Sequence, residues 1–320
     1  MSFRIIGNLC RSTRKNLIEE KLSCFANTKR SMMNVTQKHR ASSESSQGDH
    51  YGSDSSIHTT VFKRMFKKYK RRNPAPDLSQ VVDPHATSSS NILHFQQLRV
   101  NDVSDEELQM LGLKPLSEWK LATLPGREGL YIFPSALKED ASEMWLQRAV
   151  NYAEPPHVTN LTAHGSSPEK NVLKNAGKSL RWTTLGVDYN WDTKQYPLSG
   201  DPLPTELVQF ADVITRILKL GPMFADATIV NYYPPKSTLS PHIDRSERTM
   251  APLVSLSLGQ SAIYLTGGES LDDEVIPLWL QSGDVLVMHG AQRLDPVVSD
   301  FANSSRANIT IRQVNPVDKK

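Results

Sequence analysis

His242 and Asp244 stand two residues apart in the stretch NYYPPKSTLSPHIDRSE, residues 231–247. At a strand end such a pair projects to one face, because strand side chains alternate. One imidazole and one carboxylate then converge on a point. A second histidine from a distant strand would complete a facial triad of two histidines and one carboxylate. That set leaves positions open on Fe(II) for a bidentate co-substrate and dioxygen. Alone the tripeptide is weak, since a histidine at a strand end is more often a surface residue.

Two other groups could do chemistry. In RANITIR, residues Arg306, Asn308, Thr310 and Arg312 recur at every second position and so share a strand face. A planar guanidinium holds a carboxylate by two parallel hydrogen bonds, where lysine is a point charge. The plain alternative is an exposed basic strand face. In LRWTTLGVDYNWDTKQYP a strand carrying Trp182 runs into a loop with Tyr189, Asn190, Trp191 and Tyr196. Aromatics there either pack internally or stack on a flat ligand such as a nucleobase.

Upstream lies VFKRMFKKYKRRNPAPDLSQVV, residues 61–82. Seven of the eleven residues from Phe62 to Arg72 are basic: Lys63, Arg64, Lys67, Lys68, Lys70, Arg71 and Arg72. Phe62, Met65, Phe66 and Tyr69 fall on one helical face, and Asn73-Pro74 ends the helix. The apolar stripe can dock while the cations stay in water. The charges suit a solvated surface, a phosphate-binding arm or a nuclear address.

The elements that must position these groups are short. SDEELQMLGL reads as a helix with Ser104 as N-cap, Glu107 three residues later and Gly112 at its end. Apolar pieces around Gly126 and Gly129 predict strand, turn, strand. SALKEDASEMWLQRAVNYA is an amphipathic helix with Leu137, Ala141, Met144, Trp145 and Ala149 on one face. TELVQFADVITRILKLG is another, burying Leu207, Phe210, Ala211, Ile214, Ile217 and Leu218 and closing at Gly221. Then come ATIVNYY, LVSLSLG, AIYLTGG, VIPLWLQ, GDVLVMH and ANITIRQV, short strands separated by turn residues. Helices first and strands after make the class α+β with a β-dominated, jelly-roll core.

The whole chain has 320 residues, 38% of them hydrophobic, and a net charge of +3. Its two cysteines, Cys10 and Cys24, lie near the N-terminus, so no disulfide framework holds the main domain. No apolar run approaches the ~18 residues of a spanning helix, and no membrane association is expected. Residues 1–60 are polar and predict disorder. Their first segment, MSFRIIGNLCRSTRKNL, has no acid and carries Arg4, Arg11, Arg14 and Lys15, as mitochondrial targeting peptides do. The organisation expected is an extension over 1–60, a basic helical arm over 61–116 and the main domain over 117–315.

NYYPPKSTLSPHIDRSE, PLVSLSLGQSAIYLTGG, SGDVLVMHGAQRL and RANITIRQV, in that order, resemble the core of the AlkB family of Fe(II)/2-oxoglutarate dioxygenases. The basic arm and the Trp182 region extend the likeness over most of residues 62–315. The resemblance implies a double-stranded β-helix that uses Fe(II), 2-oxoglutarate and dioxygen to demethylate bases in tRNA or DNA. It matches His242 and Asp244 to iron ligands, and Asn231 and Tyr233 to contacts with 2-oxoglutarate. Arg306 and Arg312, with Asn308 beside them, match the pair that binds its carboxylates. Trp182, Tyr189, Asn190 and Trp191 match the substrate lid. Members of this kind are associated with nucleus and mitochondrion, and the cytoplasm is a third compartment.

One part departs from the pattern. The family places its distal histidine a few residues after an Arg-Leu pair. Here Arg293-Leu294 is followed by Asp295, Pro296, Val297, Val298 and Ser299, and the stretch 294–306 is short. His289, which shares a strand face with Val285 and Val287, and Asp295 are substitutes by residue type; the third reading is a shortened isoform, a gene-model error or true loss of the ligand. Two function classes stand beside the demethylase: an inactive nucleic-acid-binding member, and a dioxygenase of protein side chains, against which the basic arm argues.

Overall fold

A computed structural model describes residues 59–86, 92–98, 102–235, 237–240, 242, 246–290 and 305–317. The extension over 1–58, the targeting segment, Asp244, Arg293, Leu294 and Asp295 lie outside the described residues. In chain order the elements are α1 (Val61–Lys70), β1 (His94–Gln96), α2 (Asp105–Met110), β2 (Leu121–Thr123), β3 (Leu130–Phe133), α3 (Glu139–Asn151), β4 (Val158–Thr159), α4 (Val172–Ala176), β5 (Trp182–Gly186), α5 (Thr205–Ile217), β6 (Ala227–Tyr233), β7 (Leu253–Gly259), β8 (Ala262–Thr266), β9 (Ile276–Leu280), β10 (Val285–Met288) and β11 (Arg306–Arg312). A nine-stranded sheet runs in the order β1-β2-β3-β10-β7-β11-β6-β5-β4, and β8-β9 form a second sheet. All the strand pairings are antiparallel, so both sheets fit the expected jelly roll.

The large sheet is covered on both faces. Val254, Leu256, Leu258, Val285, Val287, Ala307, Ile309 and Ile311 face outward and pack with Trp145 and Ala149 of α3 and Leu207, Phe210 and Ile214 of α5. The inner face of β2, β3, β10 and the start of β7 packs on the small sheet through Ala122, Leu130, Ile132, Leu253, Leu286 and Met288 against Tyr264, Leu278 and Leu280. Ile263 and Leu265, on the far side of β8, receive Phe62 and Tyr69 of α1. The layers are thus helices, large sheet, small sheet and α1.

Helix α1 starts where Thr60 Oγ1 accepts from Lys63 N at 3.3 Å. Its first turn is tied to the β8–β9 loop by Phe62 N donating to Leu271 O at 2.9 Å. Val82 then joins the small sheet, accepting from Trp279 N and donating to Pro277 O, both at 2.9 Å. Residues 61–116 are therefore not a separate arm. They supply β1 to the large sheet, Leu108, Leu111 and Leu113 to the main core, and Phe62 and Tyr69 to the far side of the small sheet.

Two helix ends refine the expectations. Ser104 and Glu107 form the reciprocal capping box, with bonds of 3.2 and 2.8 Å. Helix α5 ends at Leu218, followed by Lys219 at φ +57°, so the chain turns before Gly221. Met144, expected on the buried face of α3, is exposed; Ala141, Trp145 and Ala149 carry that face.

Candidate active site

The remaining inner face, on β5, β6, β11 and the end of β7, is polar. Register aligns Arg306 with Tyr233, and Asn308 with both Asn231 and Ser257. Thr310 aligns with Ser255, and Trp182 of β5 with Asn231. Alternation therefore puts these side chains on one surface, with Ala307, Ile309 and Ile311 on the other. The seven residues of β11 are all buried, so its basic face is not a solvated one. Arg306 and Arg312 are each 4% exposed.

Burying guanidinium groups is costly without partners. Arg306 Nη2 donates to Ser257 Oγ at 2.9 Å, and its charge lies 5.0 Å from the Tyr233 ring centre. Its Nε is buried and has no hydrogen-bond partner among the described residues. A donor left in that state is open to a ligand's acceptor. Arg312 Nε donates to Glu247 Oε1 at 3.1 Å, and Nη1 to Thr310 O at 3.2 Å. Both partners of this ion pair are nearly inaccessible, with side chains 5% and 2% exposed. Asn308 Nδ2 donates to Ser255 Oγ at 2.8 Å and to Leu256 O at 3.2 Å, and Oδ1 accepts from Thr310 Oγ1 at 3.0 Å. Asn308 thus organises the strand face around the two arginines. Tyr233 is buried and Asn231 half-buried beside them.

The lid follows β5. Trp182 and Trp191 rings lie 4.7 Å apart at 31°, Tyr189 meets Trp191 edge-on at 4.8 Å, and Tyr189 reaches Tyr196 at 5.0 Å. Trp182 stands on the polar face, and Trp191 remains 39% exposed. Asn190 plays a structural part. Its Oδ1 accepts from Asp192 N at 3.0 Å and Thr193 N at 2.8 Å, which folds the lid's turn.

His242 is exposed, and its Nδ1 donates to Ser240 O at 2.9 Å. That bond fixes the tautomer with its lone pair on Nε2, the arrangement usual in metal-ligating histidines. Among the described residues no group of three metal-binding side chains occurs. Leu286 and Met288 of β10 share the inner face and Val285 and Val287 the outer one, and His289 lies just past the strand's end. Its backbone N donates to Gly129 O at 2.9 Å, and its Nδ1 is buried with no partner among the described residues. Gly129 is required there, since a Cβ would lie 2.1 Å from His289 O.

The α1 cations remain outward. Lys63, Arg64, Lys67, Lys70, Arg71 and Arg72 are exposed, and Lys68 is half-buried. Arg64 donates to Thr59 O at 2.7 Å and Lys68 to Gln80 Oε1 at 2.9 Å. Among the described residues no helix is long and apolar enough to cross a membrane.

Sequence reading passed over Ser255, Ser257 and Glu247. The serines were detectable as the polar positions of LVSLSLG at a period of two. Glu247 had no such signal, since only its contact with Arg312 distinguishes it.

The site's residues sit in a segment with known relatives. A profile of the 2OG-Fe(II) oxygenase superfamily matches residues 129–312. Nucleic acid dioxygenase ALKBH1 of Mus musculus is 33% identical over 266 residues, 73% of this chain and 68% of that protein. tRNA demethylase abh1 of Schizosaccharomyces pombe is 33% identical over 298 residues, 80% of this chain and 96% of that protein. DNA N(6)-methyladenine demethylase ALKBH1A of Arabidopsis thaliana is 28% identical over 282 residues, 73% of this chain and 82% of that protein. With that profile over more than half its length and such relatives over most of it, this chain belongs to the 2OG-Fe(II) oxygenase superfamily, in its AlkB homologue 1 branch.

Proposed function

We propose that the chain oxidatively demethylates methylated bases in nucleic acid, tRNA or DNA. The carrying observation is the buried polar face of β11, where Arg306 Nε has no partner among the described residues and lies beside Tyr233 and Asn231. That face fits a dicarboxylate co-substrate. Arg306 and Arg312 would hold its carboxylates, with Asn231 and Tyr233 beside it. His242, with Asp244, would hold Fe(II).

When bound, Fe(II) and 2-oxoglutarate with dioxygen supply the oxidant that hydroxylates an N-methyl group. The resulting hemiaminal releases formaldehyde and the unmethylated base. The protein's share is orientation and exclusion of water. The base leaves its stack at a cost of a few kcal/mol, and the rings of Trp182, Tyr189 and Trp191 offset part of it. The exposed cations of α1 would hold the phosphate backbone, which makes binding strongly salt-dependent. The names of the fission yeast and Arabidopsis relatives support tRNA and DNA respectively as substrate classes. The arm and the basic N-terminus favour action in nucleus or mitochondrion.

The test is turnover with Fe(II), 2-oxoglutarate and either methylated tRNA or N6-methyladenine DNA. Equal yields of succinate and formaldehyde are expected with one of them. A second reading, an inactive nucleic-acid-binding member, rests on the run Asp295 to Ser299, which holds no histidine. It predicts oligonucleotide binding that weakens with salt and no formaldehyde from either substrate.

A further inference from the structure

Ser246, Glu247 and Arg248 join the lid to β11. Ser246 Oγ donates to Lys194 O at 3.0 Å and lies 3.4 Å from the Tyr189 hydroxyl. Arg248 Nη2 donates to Tyr196 O at 2.6 Å. Its Nη1 reaches Pro197 O at 3.3 Å and Asn315 Oδ1 at 2.7 Å. Asn315 Nδ2 in turn donates to Pro197 O at 3.2 Å. Arg248 N donates to Val314 O at 2.8 Å, two residues past the end of β11. Glu247, between the two lid contacts, takes Arg312 Nε at 3.1 Å. Three consecutive residues therefore alternate between lid, co-substrate strand and lid.

The lid is closed upon itself. With Trp182 and Trp191 centred 4.7 Å apart, no other ring fits between them. A flat substrate ring can stack on Trp182 only when Trp191 moves. Tyr196 is buried, and Arg248 holds its carbonyl and that of Pro197, so that end of the lid is anchored. The Lys194 end is held through the half-buried Ser246, the exposed turn at Asn190, the backbone bond from Asn190 N to Gln195 O at 2.9 Å and the Lys194 ammonium 5.9 Å from the Trp191 ring centre. Movement of the lid therefore loads Ser246 and Arg248, and the chain between them carries the carboxylate that orients Arg312.

We propose that Ser246, Glu247 and Arg248 couple the lid to β11, so that methylated nucleic acid and 2-oxoglutarate each raise the affinity for the other. This deepens the proposed function and rests on it. Arg248 is a positioning residue: it touches neither ligand and acts through Tyr196, Pro197 and Asn315. Coupling of this kind is reciprocal, so the same factor appears in both affinities.

The test uses the full chain loaded with Mn(II) in place of Fe(II), titrated calorimetrically with 2-oxoglutarate. One arm contains saturating single-stranded DNA bearing N6-methyladenine and the other does not. The oligonucleotide is expected to tighten 2-oxoglutarate binding about five-fold or more. R248Q brings that ratio to about one, while affinity for 2-oxoglutarate alone and the melting temperature stay as in the unaltered chain. R248K, which keeps the charge but not the fork, restores part of the ratio. S246A, which removes the two lid contacts of Ser246 Oγ and leaves those of Arg248, lowers it and serves where R248Q melts early. Binding without any oligonucleotide effect, or an unchanged ratio in R248Q and S246A, overturns the coupling and leaves the proposed function standing. No 2-oxoglutarate binding by the unaltered chain overturns both.

Discussion

On the inner face of one sheet, β2, β3 and β10 present Ala122, Leu130, Ile132, Leu286 and Met288, whereas β5, β6 and β11 present Trp182, Asn231, Arg306, Asn308 and Arg312. The first set is buried; in the second the β11 residues are buried and Trp182 and Asn231 half-buried, and both regions are built from short antiparallel strands. The first is closed by the small sheet and needs nothing else. The second spends its hydrogen bonds on holding two guanidinium groups, and still leaves Arg306 Nε without a partner among the described residues. Burial is therefore stabilising in one region and a standing cost in the other. A cost of that kind persists where it serves a ligand.

Substitutions in the two regions should separate stability from binding. The largest effect is expected at Glu247. E247Q removes the carboxylate from a pair that is almost wholly inaccessible, and should cost about 3–5 kcal/mol of unfolding free energy in denaturant titration. Next is L286A in the apolar region. It should cost about 3 kcal/mol through the cavity it opens, with 2-oxoglutarate affinity of the folded fraction unchanged. R306A should reverse that pattern. The fold keeps most of its stability, and co-substrate affinity falls about a hundred-fold in calorimetry. S104A, far from both regions, should lose only about 1 kcal/mol with its cap, and sets the scale for an ordinary surface change.

The smallest effect lies at the rim of the apolar region. His85 Nε2 bonds Asp284 Oδ2 at 2.9 Å, just before β10. Burial opposes the charged imidazole, but the hydrogen bond and charge of Asp284 outweigh it and raise the pKa above its usual 6.5. A group raised on folding contributes its full stability below the unfolded pKa and loses it as pH rises through the folded one. Unfolding free energy should therefore decline slightly from about pH 6 upward, and H85Q should flatten that decline.

The chain's pattern revealed much of this division. The period of two in RANITIR marked both faces of β11, and the capping box at Ser104 needed only its spacing. What escaped were properties of contact. Asn190 looked like a lid residue with a ligand to meet, yet its amide closes a turn. The strand GDVLVMH was legible, but its last residue, His289, falls just past the end of β10, and which face of that strand looks inward depends on pairing with β7. Met144 fell on the right helical face and lost its place because the neighbouring layer covers only the width of Ala141, Trp145 and Ala149. Glu247 and Arg248 are single charged residues in a loop, and their partners lie 65 and 52 residues away. No local pattern encodes such distances.

The central claim is that the polar region of the inner face holds 2-oxoglutarate. Calorimetric titration of the Mn(II)-loaded unaltered chain, R306A and L286A tests it in one experiment. Binding by the unaltered chain and by folded L286A is expected, with loss of binding by an R306A protein that still melts cooperatively. Equal affinity in R306A and the unaltered chain, or loss of binding in folded L286A alone, would contradict it.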